Sequence, residues 1–253
     1  MTISIITVTF NSASTVRCTF ESILSQTYTD IDYIVVDGGS QDGTTEIIKE
    51  YEPRFGGRMH WISERDRGIY DAMNKGINMA KGDIIGILNS DDMFEDNSVL
   101  EDIAHTFTNT QTDAVFGNLV FVKEDDTNAI VRTWEGSEYK SGAFLKGWHP
   151  AHPTFYVRKE IYDRYGNFDI SFEVSADFEL MLRFIEKERI RTQYINRYIV
   201  RMRIGGESTG SIAKIIKGNK NVLKAFKKNG LKPLPFYLVR RLLPKAINIL
   251  KNR

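Results

Sequence analysis

An α/β fold, with a mostly parallel central sheet covered by helices on both faces, is predicted by three observations. Short β-rich runs alternate with helical stripes over roughly the first 110 residues, acidic and glycine residues fall at the ends of those runs, and the composition is ordinary for a globular protein. The chain has 253 residues, with 34 Lys plus Arg against 33 Asp plus Glu, 42% hydrophobic and 26% charged residues. Disorder, collagen and a coiled-coil rod are disfavoured by those values, and the length suits one to two domains. Cys18, the single cysteine, cannot form an internal disulfide and fits a reducing compartment.

The elements follow in order. Residues 3–10, 33–37, 60–64 and 84–89 are the β-rich runs, and the opening stretch Met1 to Phe10 reads as strand instead of signal peptide. Val16, Phe20, Ile23 and Leu24 form an i, i+4, i+7, i+8 stripe, with Ser12 and Ser14 as candidate N-caps. Further helices are predicted at 43–51, 69–80 and 97–108. Beyond Asp113 a hairpin is expected from 114–122 and 129–134, followed by a glycine- and aromatic-rich stretch at 142–156, a strand and helix, a helix at 176–188 and a strand at 192–204. The resulting division is a catalytic-type body at 1–211, with halves at 1–112 and 113–211, and a helical tail at 212–253.

That tail carries twelve Lys or Arg and no acid, whereas residues 1–211 carry a net charge of −11. Ile212, Ile215, Ile216, Val222, Leu223 and Phe226 make one helical face, and Leu238, Val239, Leu242, Leu243 and Ile247 another after two prolines. Basic amphipathic helices of this kind lie at anionic membrane surfaces. The same pattern also fits a helix packed on the body with a solvated basic face. No apolar run approaches the ~20 residues of a membrane span. A nucleic-acid partner is not expected, because the tail has few aromatics and the body is acidic.

Open parallel sheets bind ligands beyond the carboxyl ends of their strands. Asp37-Gly38-Gly39-Ser40-Gln41-Asp42-Gly43-Thr44, Ser63-Glu64-Arg65-Asp66-Arg67-Gly68 and Asn89-Ser90-Asp91-Asp92 all fall at such ends. Asp-Gly also forms plain turns, and Asp91-Asp92 also suits a solvated turn before a helix. As hard oxygen donors, Asp91 and Asp92 suit Mg²⁺ or Mn²⁺ with substrate phosphates completing the shell. Dinucleotide and P-loop glycine motifs, zinc-type Cys/His spacing and a Gly-x-Ser-x-Gly elbow are all absent from the sequence.

These motifs resemble the inverting, metal-dependent glycosyltransferases of family 2, which have the GT-A fold. Ser4 to Asn11 is similar to the family's opening strand, Asp37 to Thr44 to its Asp-Gly-Ser-x-Asp-Gly-Thr turn, and Leu88-Asn-Ser-Asp-Asp92 to its Leu-Asp-x-Asp-Asp metal motif. Asp66 to Gly76 resembles the branch that builds bacterial O-antigen and exopolysaccharide repeat units. Ser175-Ala-Asp-Phe-Glu-Leu-Met-Leu-Arg183 resembles the segment carrying the general base. The resemblance covers about residues 3–205. Asn89 departs from it in place of an Asp, Ala176 in place of a Glu, and Glu179 in place of an Asp.

The resemblance implies that Thr9 and Asp37 contact the base of a nucleoside diphosphate sugar, and that Asp66 and Asn74 lie along the nucleoside pocket. Gly68 would permit close backbone approach. Asp91, with Asp92 weaker, would hold Mn²⁺ or Mg²⁺, and Asp177 would be the base. Asp177 alone also reads as a helix N-terminal carboxylate. Trp148 and His152 fall on the acceptor side, and Gly205-Gly206-Glu207-Ser208 matches a flap over the donor or a plain turn.

The implied activity is hexosyl or N-acetylhexosaminyl transfer, with inversion, in cell-surface polysaccharide biosynthesis. Its acceptor would be a lipid-linked saccharide, and its place the cytoplasmic face of the cell membrane, held peripherally. A non-catalytic nucleotide-binding or membrane-scaffolding module with the same fold is the alternative, kept open by Asn89 and Ala176. A sugar-nucleotide-forming nucleotidyltransferase would need a basic glycine-rich loop near the N-terminus, and none is present.

Overall fold

The computed structural model describes residues 1–205 and 212–241. The candidate flap residues Gly206, Glu207 and Ser208, and tail residues 242–253, lie outside the described residues. Strands β1 (Ile3–Thr9), β2 (Ile31–Asp37), β3 (Met59–Ser63) and β4 (Ile84–Ile87) alternate with helices α1 (Val16–Leu24), α2 (Thr44–Tyr51) and α3 (Ile69–Met79). Then come β5 (Met93–Phe94), α4 (Val99–Asn109), the hairpin β6 (Ala114–Val122) and β7 (Ile130–Trp134), and β8 (Tyr156–Arg158) with α5 (Lys159–Tyr165). Helix α6 (Ala176–Met181) runs on as a π-helical turn, Leu182–Lys187, and β9 (Thr192–Arg203) and α7 (Ile212–Lys228) close the order.

One sheet holds these strands in the order β3-β2-β1-β4-β8-β6-β9-β5, with β7 paired to β6. The first four are mutually parallel, as are β6 and β9, while β8 runs antiparallel to β4 and β6. The sheet is therefore mixed but mostly parallel, the expected fold class. It is continuous across residue 112.

Alternation along the strands splits the core in two. Ile6, Val8, Ile34 and Val36 face one side with α3, α5 and α6, whereas Ile3, Ile5, Tyr33 and Val35 face the other with α1, α2 and α4. Strands buried on both faces need near-continuous apolar runs, and β1 and β2 are buried at every position.

Helix α7 joins the first core through Val222, Ala225 and Phe226, and Tyr237 follows it there. Lys217 pairs with Glu173, Lys228 with Asp169, and the Asn221 side chain donates to the Val174 carbonyl. Thus the face with Val222 and Phe226, which its amphipathic pattern alone would also allow against a membrane, is packed on the body.

Candidate active site

Because β1 to β4 are parallel, their carboxyl ends share one edge, and the loops leaving them are tied together. Asn11 N–H donates to Ser40 Oγ at 2.8 Å, Ser12 N–H to Thr44 Oγ1 at 2.8 Å, and the Ser12 and Ser90 hydroxyls lie 2.9 Å apart. The segments after β1, β2 and β4 thus form one surface.

Thr9 and Asp37 meet there. Asp37 is 0% exposed, and its carboxylate accepts hydrogen bonds from the hydroxyls of Thr9, Ser40 and Ser63 and from the N–H groups of Gly39 and Ser40. Burial pushes the Asp37 carboxyl up, but these donors outweigh it and hold it below the usual carboxylate range. Five protein donors hold the carboxylate and shape the turn.

Asp66 sits against that turn. A Cβ on Gly38 would stand 3.1 Å from Asp66 Oδ2, so glycine lets the two loops close. Lys75 pairs with both Asp66 and Glu64, while burial pushes the Asp66 carboxyl up. Gly68, with φ of +120°, caps α3 in a conformation that side chains disfavour. A Cβ there would meet none of the protein's described atoms within 4 Å.

Asn74 is held by the backbone of a neighbouring loop. Its Nδ2 donates to the Phe168 carbonyl at 2.9 Å and its Oδ1 accepts from Phe168 N–H at 2.9 Å, so both ends of the amide clamp a loop. Asn74 also lines a cleft of about 630 Å³ with Arg65, Arg67, Asp71 and Lys75.

In the acidic motif, Asp92 is 0% exposed and takes a 3.2 Å hydrogen bond from Asn89 Nδ2 on one oxygen. Its other oxygen and Asn89 Oδ1 are buried without a partner among the described residues. Burial pushes the Asp92 carboxyl up, reinforced by the charge of Asp91, and burial also raises that of Asp91. Arg203 reaches in from β9 and donates from Nε to the Asp91 carbonyl at 3.0 Å.

A hard cation fits this donor set. Orphaned oxygens lie beside a half-buried carboxylate whose ionised form wants a positive neighbour. Among the described residues no three His, Cys, Asp or Glu gather, so a cation here would draw further ligands from water and substrate.

Asp177 lies in the first turn of α6, started by Ser175 in the left-handed region at φ of +69°. The Tyr70 hydroxyl donates to Asp177 Oδ1 at 2.9 Å, and His152 Nδ1 lies 3.2 Å from Oδ2. Tyr70 is on α3, four residues after Asp66, so α3 links the Asp66 loop to Asp177. Burial, and then the Asp177 charge, push the Tyr70 phenol well up and keep it a donor.

Glu179 is buried in an ion pair with Arg183 and accepts from Asn229, while Glu173 is on the surface with Lys217. Trp148 donates to Ser137 Oγ and packs edge-on against Phe116 and Phe144. It lines a groove of about 830 Å³ with Glu135, Glu138, Tyr194 and Asn196.

Three residues escaped the sequence reading. Tyr70 lay inside a motif without a role, Arg203 is a buried cation at a strand end, and Arg241 comes from the tail. The Arg241 guanidinium lies 5.3 Å from the Phe178 ring, donates to Asn219 and feels the Asp177 charge, with its Nε buried and without a partner among the described residues. Only the buried fold brings it there.

Comparison with known proteins agrees with this geometry. The family described as Glycosyl transferase family 2 matches residues 4–166. A PGL/p-HBAD biosynthesis glycosyltransferase of Mycobacterium bovis is 28% identical over 194 residues, covering 76% of this chain and 73% of that protein. S. aureus TarS 1-349 in complex with UDP superposes with a TM-score of 0.65 at 16% identity, covering 100% of this chain and 80% of that one. The mannosyltransferase PcManGT from Pyrobaculum calidifontis, in complex with GDP-Man and Mn2+, gives 0.64 at 20% identity over 99% and 70%. The two structures establish a GT-A-type fold, and the match over more than half of its length establishes that this chain belongs to glycosyltransferase family 2.

Proposed function

We propose that the protein transfers a hexosyl or N-acetylhexosaminyl group, with inversion, from a nucleoside diphosphate sugar to a hydroxyl of a lipid-linked saccharide in cell-surface polysaccharide biosynthesis. One observation carries this reading: α3 ties Asp177, through Tyr70, to the same strand-end edge that holds Asp66 and Asp91. A carboxylate beside a donor-binding edge is what activation of an acceptor hydroxyl requires.

Asp91 would hold Mn²⁺ or Mg²⁺, with Asp92 and Asn89 behind it. A cation bound there supplies charge that offsets the departing diphosphate. Thr9 and Asp37 would contact the base of the nucleoside, and Asp66, Gly68 and Asn74 would shape the adjoining wall, as the cleft lined by Asn74 supports. As the acceptor oxygen bonds to the anomeric carbon, the bond to the diphosphate breaks with its electron pair leaving on the diphosphate. The hydroxyl proton passes to Asp177 as the base.

A double displacement would need a carboxylate nucleophile. Glu179 is committed to Arg183 and Glu173 to the surface, which supports a single displacement. Trp148 and the groove it lines suit the acceptor, as aromatic and carboxylate side chains suit a saccharide. Exposed Ile216, Leu223, Leu234, Phe236 and Val239, interleaved with Lys220, Lys227 and Arg240, support contact between the tail and an anionic membrane. No helix among the described residues is long and apolar enough to cross one.

Thermal melting with UDP-glucose, UDP-galactose, UDP-GlcNAc and GDP-mannose, with and without Mn²⁺, tests the donor reading. At least one sugar nucleotide is expected to raise the Tm only with metal, and Asp91→Ala to abolish that rise. No stabilisation by any member of the panel would overturn it. Asp177→Asn is expected to keep donor binding and lose most turnover; near-normal turnover would remove Asp177 from the base.

A further inference from the structure

After α7 the chain, residues 229–241, crosses the loop that carries Trp148 as a strap. Leu234 N–H donates to the Leu145 carbonyl at 3.0 Å, and Arg240 N–H donates to the Phe236 carbonyl at 3.0 Å, closing a helical turn. Gly147, at φ of +105°, makes room for that turn, because a Cβ there would stand 3.0 Å from Arg241 N and 3.1 Å from its Cα. On either side of Gly147, Lys146 and Trp148 both line the groove of about 830 Å³. The strap is therefore seated against a loop that walls the groove.

Tyr237 and Arg241 stand four residues apart on this turn and so share a face. Tyr237 is 3% exposed and packs on Phe226 with ring centroids 4.9 Å apart, and its hydroxyl is buried without a partner among the described residues. The Arg241 guanidinium lies over the ring of Phe178, the residue after Asp177. Asn219 accepts from Nη1 at 3.2 Å, while Nε is buried without a partner among the described residues. Asp177, the carboxylate whose charge Arg241 feels, takes its hydrogen bond from Tyr70 instead.

A guanidinium withdrawn from water costs free energy unless an anion meets it, and burial accordingly pushes Arg241 below the usual arginine range. Exposed Lys146 and Arg240, its neighbours, add positive charge. A cationic fork with a phenolic donor on the same face suits a phosphate group, which takes several hydrogen bonds at once.

We propose that Arg241, with the Tyr237 hydroxyl beside it, binds a phosphate ester carried by the acceptor, so that the tail completes the acceptor site. The proposal rests on the transfer reading above and keeps Asp177 as the base. It also narrows the acceptor. Because Arg241 lies over the residue next to Asp177, the phosphate falls within a single sugar's reach of the reacting hydroxyl. A glycosyl phosphate with its lipid beyond the phosphate has that form. The preceding reaction is then transfer of a single sugar, or of a sugar phosphate, onto a lipid phosphate.

The test is a binding panel, read by ligand-observed NMR, with Mn²⁺ and the nucleoside diphosphate of whichever panel donor binds filling the metal site. Glucose, galactose, mannose and N-acetylglucosamine 1-phosphates are each compared with the methyl glycoside of the same sugar. At least one phosphate is expected to bind the wild type about tenfold or more tighter than its glycoside. Arg241→Gln should erase that preference, Arg241→Lys should keep part of it, and Tyr237→Phe, which leaves the ring packed on Phe226, should reduce it. Donor Kd should stay within about threefold in all three. No phosphate preference in the wild type, or one untouched in the variants, would overturn the proposal. Should Arg241→Gln not fold, Arg241→Lys and Tyr237→Phe decide.

Bilayer headgroups offer the same phosphate chemistry, so a second arm measures co-sedimentation with phosphatidylglycerol vesicles. It should be unchanged in Arg241→Lys and Tyr237→Phe. Its loss in both, with the sugar phosphate preference intact, would assign these residues to headgroups and overturn the proposal. Donor binding without phosphate preference sinks this proposal alone, whereas absence of donor binding sinks the transfer reading and this proposal with it.

Discussion

Replacing Asn74 with alanine separates holding the fold from binding the donor. The wild-type amide makes two hydrogen bonds of 2.9 Å to the Phe168 backbone, one given and one received. Each is worth about 1 kcal/mol net, so the variant should lose about 2 kcal/mol. For a chain of this size that corresponds to a Tm about 4–8 °C lower. Asn74→Asp should lose more, because it sets a charge against the Phe168 carbonyl. The assay pairs a thermal or urea melt with titration of the sugar nucleotide found in the melting panel. Donor affinity should stay within about threefold, an energy change under roughly 1 kcal/mol. An unchanged melt with lost donor binding would refute the reasoning and give the Asn74 amide to the donor.

Asp37→Asn should cost about 2–4 kcal/mol at neutral pH by breaking charge-assisted hydrogen bonds. The folded-state pKa of Asp37 lies below its unfolded value, so its contribution is present above about pH 4 and is lost as pH falls through the folded value. Stability of wild type and variant should therefore converge on acidification, and a constant gap down to low pH would contradict this. Gly86→Ala should be insoluble or destabilised by about 3 kcal/mol, since a Cβ there would stand 2.1 Å from the Tyr156 ring. A normal melt would show that the ring can move aside. Lys220→Glu with Lys227→Glu should weaken co-sedimentation with phosphatidylglycerol vesicles while leaving the Tm unchanged, and undiminished sedimentation would argue against the tail as the contact. Deleting residues 212–253 is the wrong perturbation, because it strips Val222, Phe226 and Tyr237 from the core.

The strands and helices of the first 110 residues were legible because each carries its own periodicity. Val16, Phe20 and Ile23, for example, are all buried where their spacing places them. Strand β5 was not, since two residues carry no period and Met93 and Phe94 become a strand only by pairing with Arg201 and Val200. The site divides along the same line. Convergence of the loops after β1, β2 and β4 follows from parallel strands. Which side chains are already engaged does not, because Asn74 meets Phe168 and Asp37 meets Ser63 across the fold. His152 and Tyr70 stand 25 and 107 residues from Asp177, and neither pairing leaves a trace in local spacing. The tail's pattern had room for either a membrane or the body, and the buried positions of Val222 and Ala225 show that one face took the body.

The place of β9 at the far side of β6 sets an order of assembly. Met93 and Phe94, next to the acidic motif, are held by residues about a hundred positions later, and Arg203 at the end of β9 bonds the Asp91 backbone. A chain emerging from the ribosome can pair β1 with β2 early, yet the Asp91 segment stays without its neighbour until β9 has been made. Non-local pairings of this kind slow folding and leave strand edges exposed meanwhile. An isolated 1–112 fragment would carry β4 and β5 with no partner on their outer sides, an aggregating edge in place of a working half. The strand-end edge becomes complete only when the whole sheet does, so loss of β9 pairing during unfolding would loosen the acidic motif before the first four strands come apart.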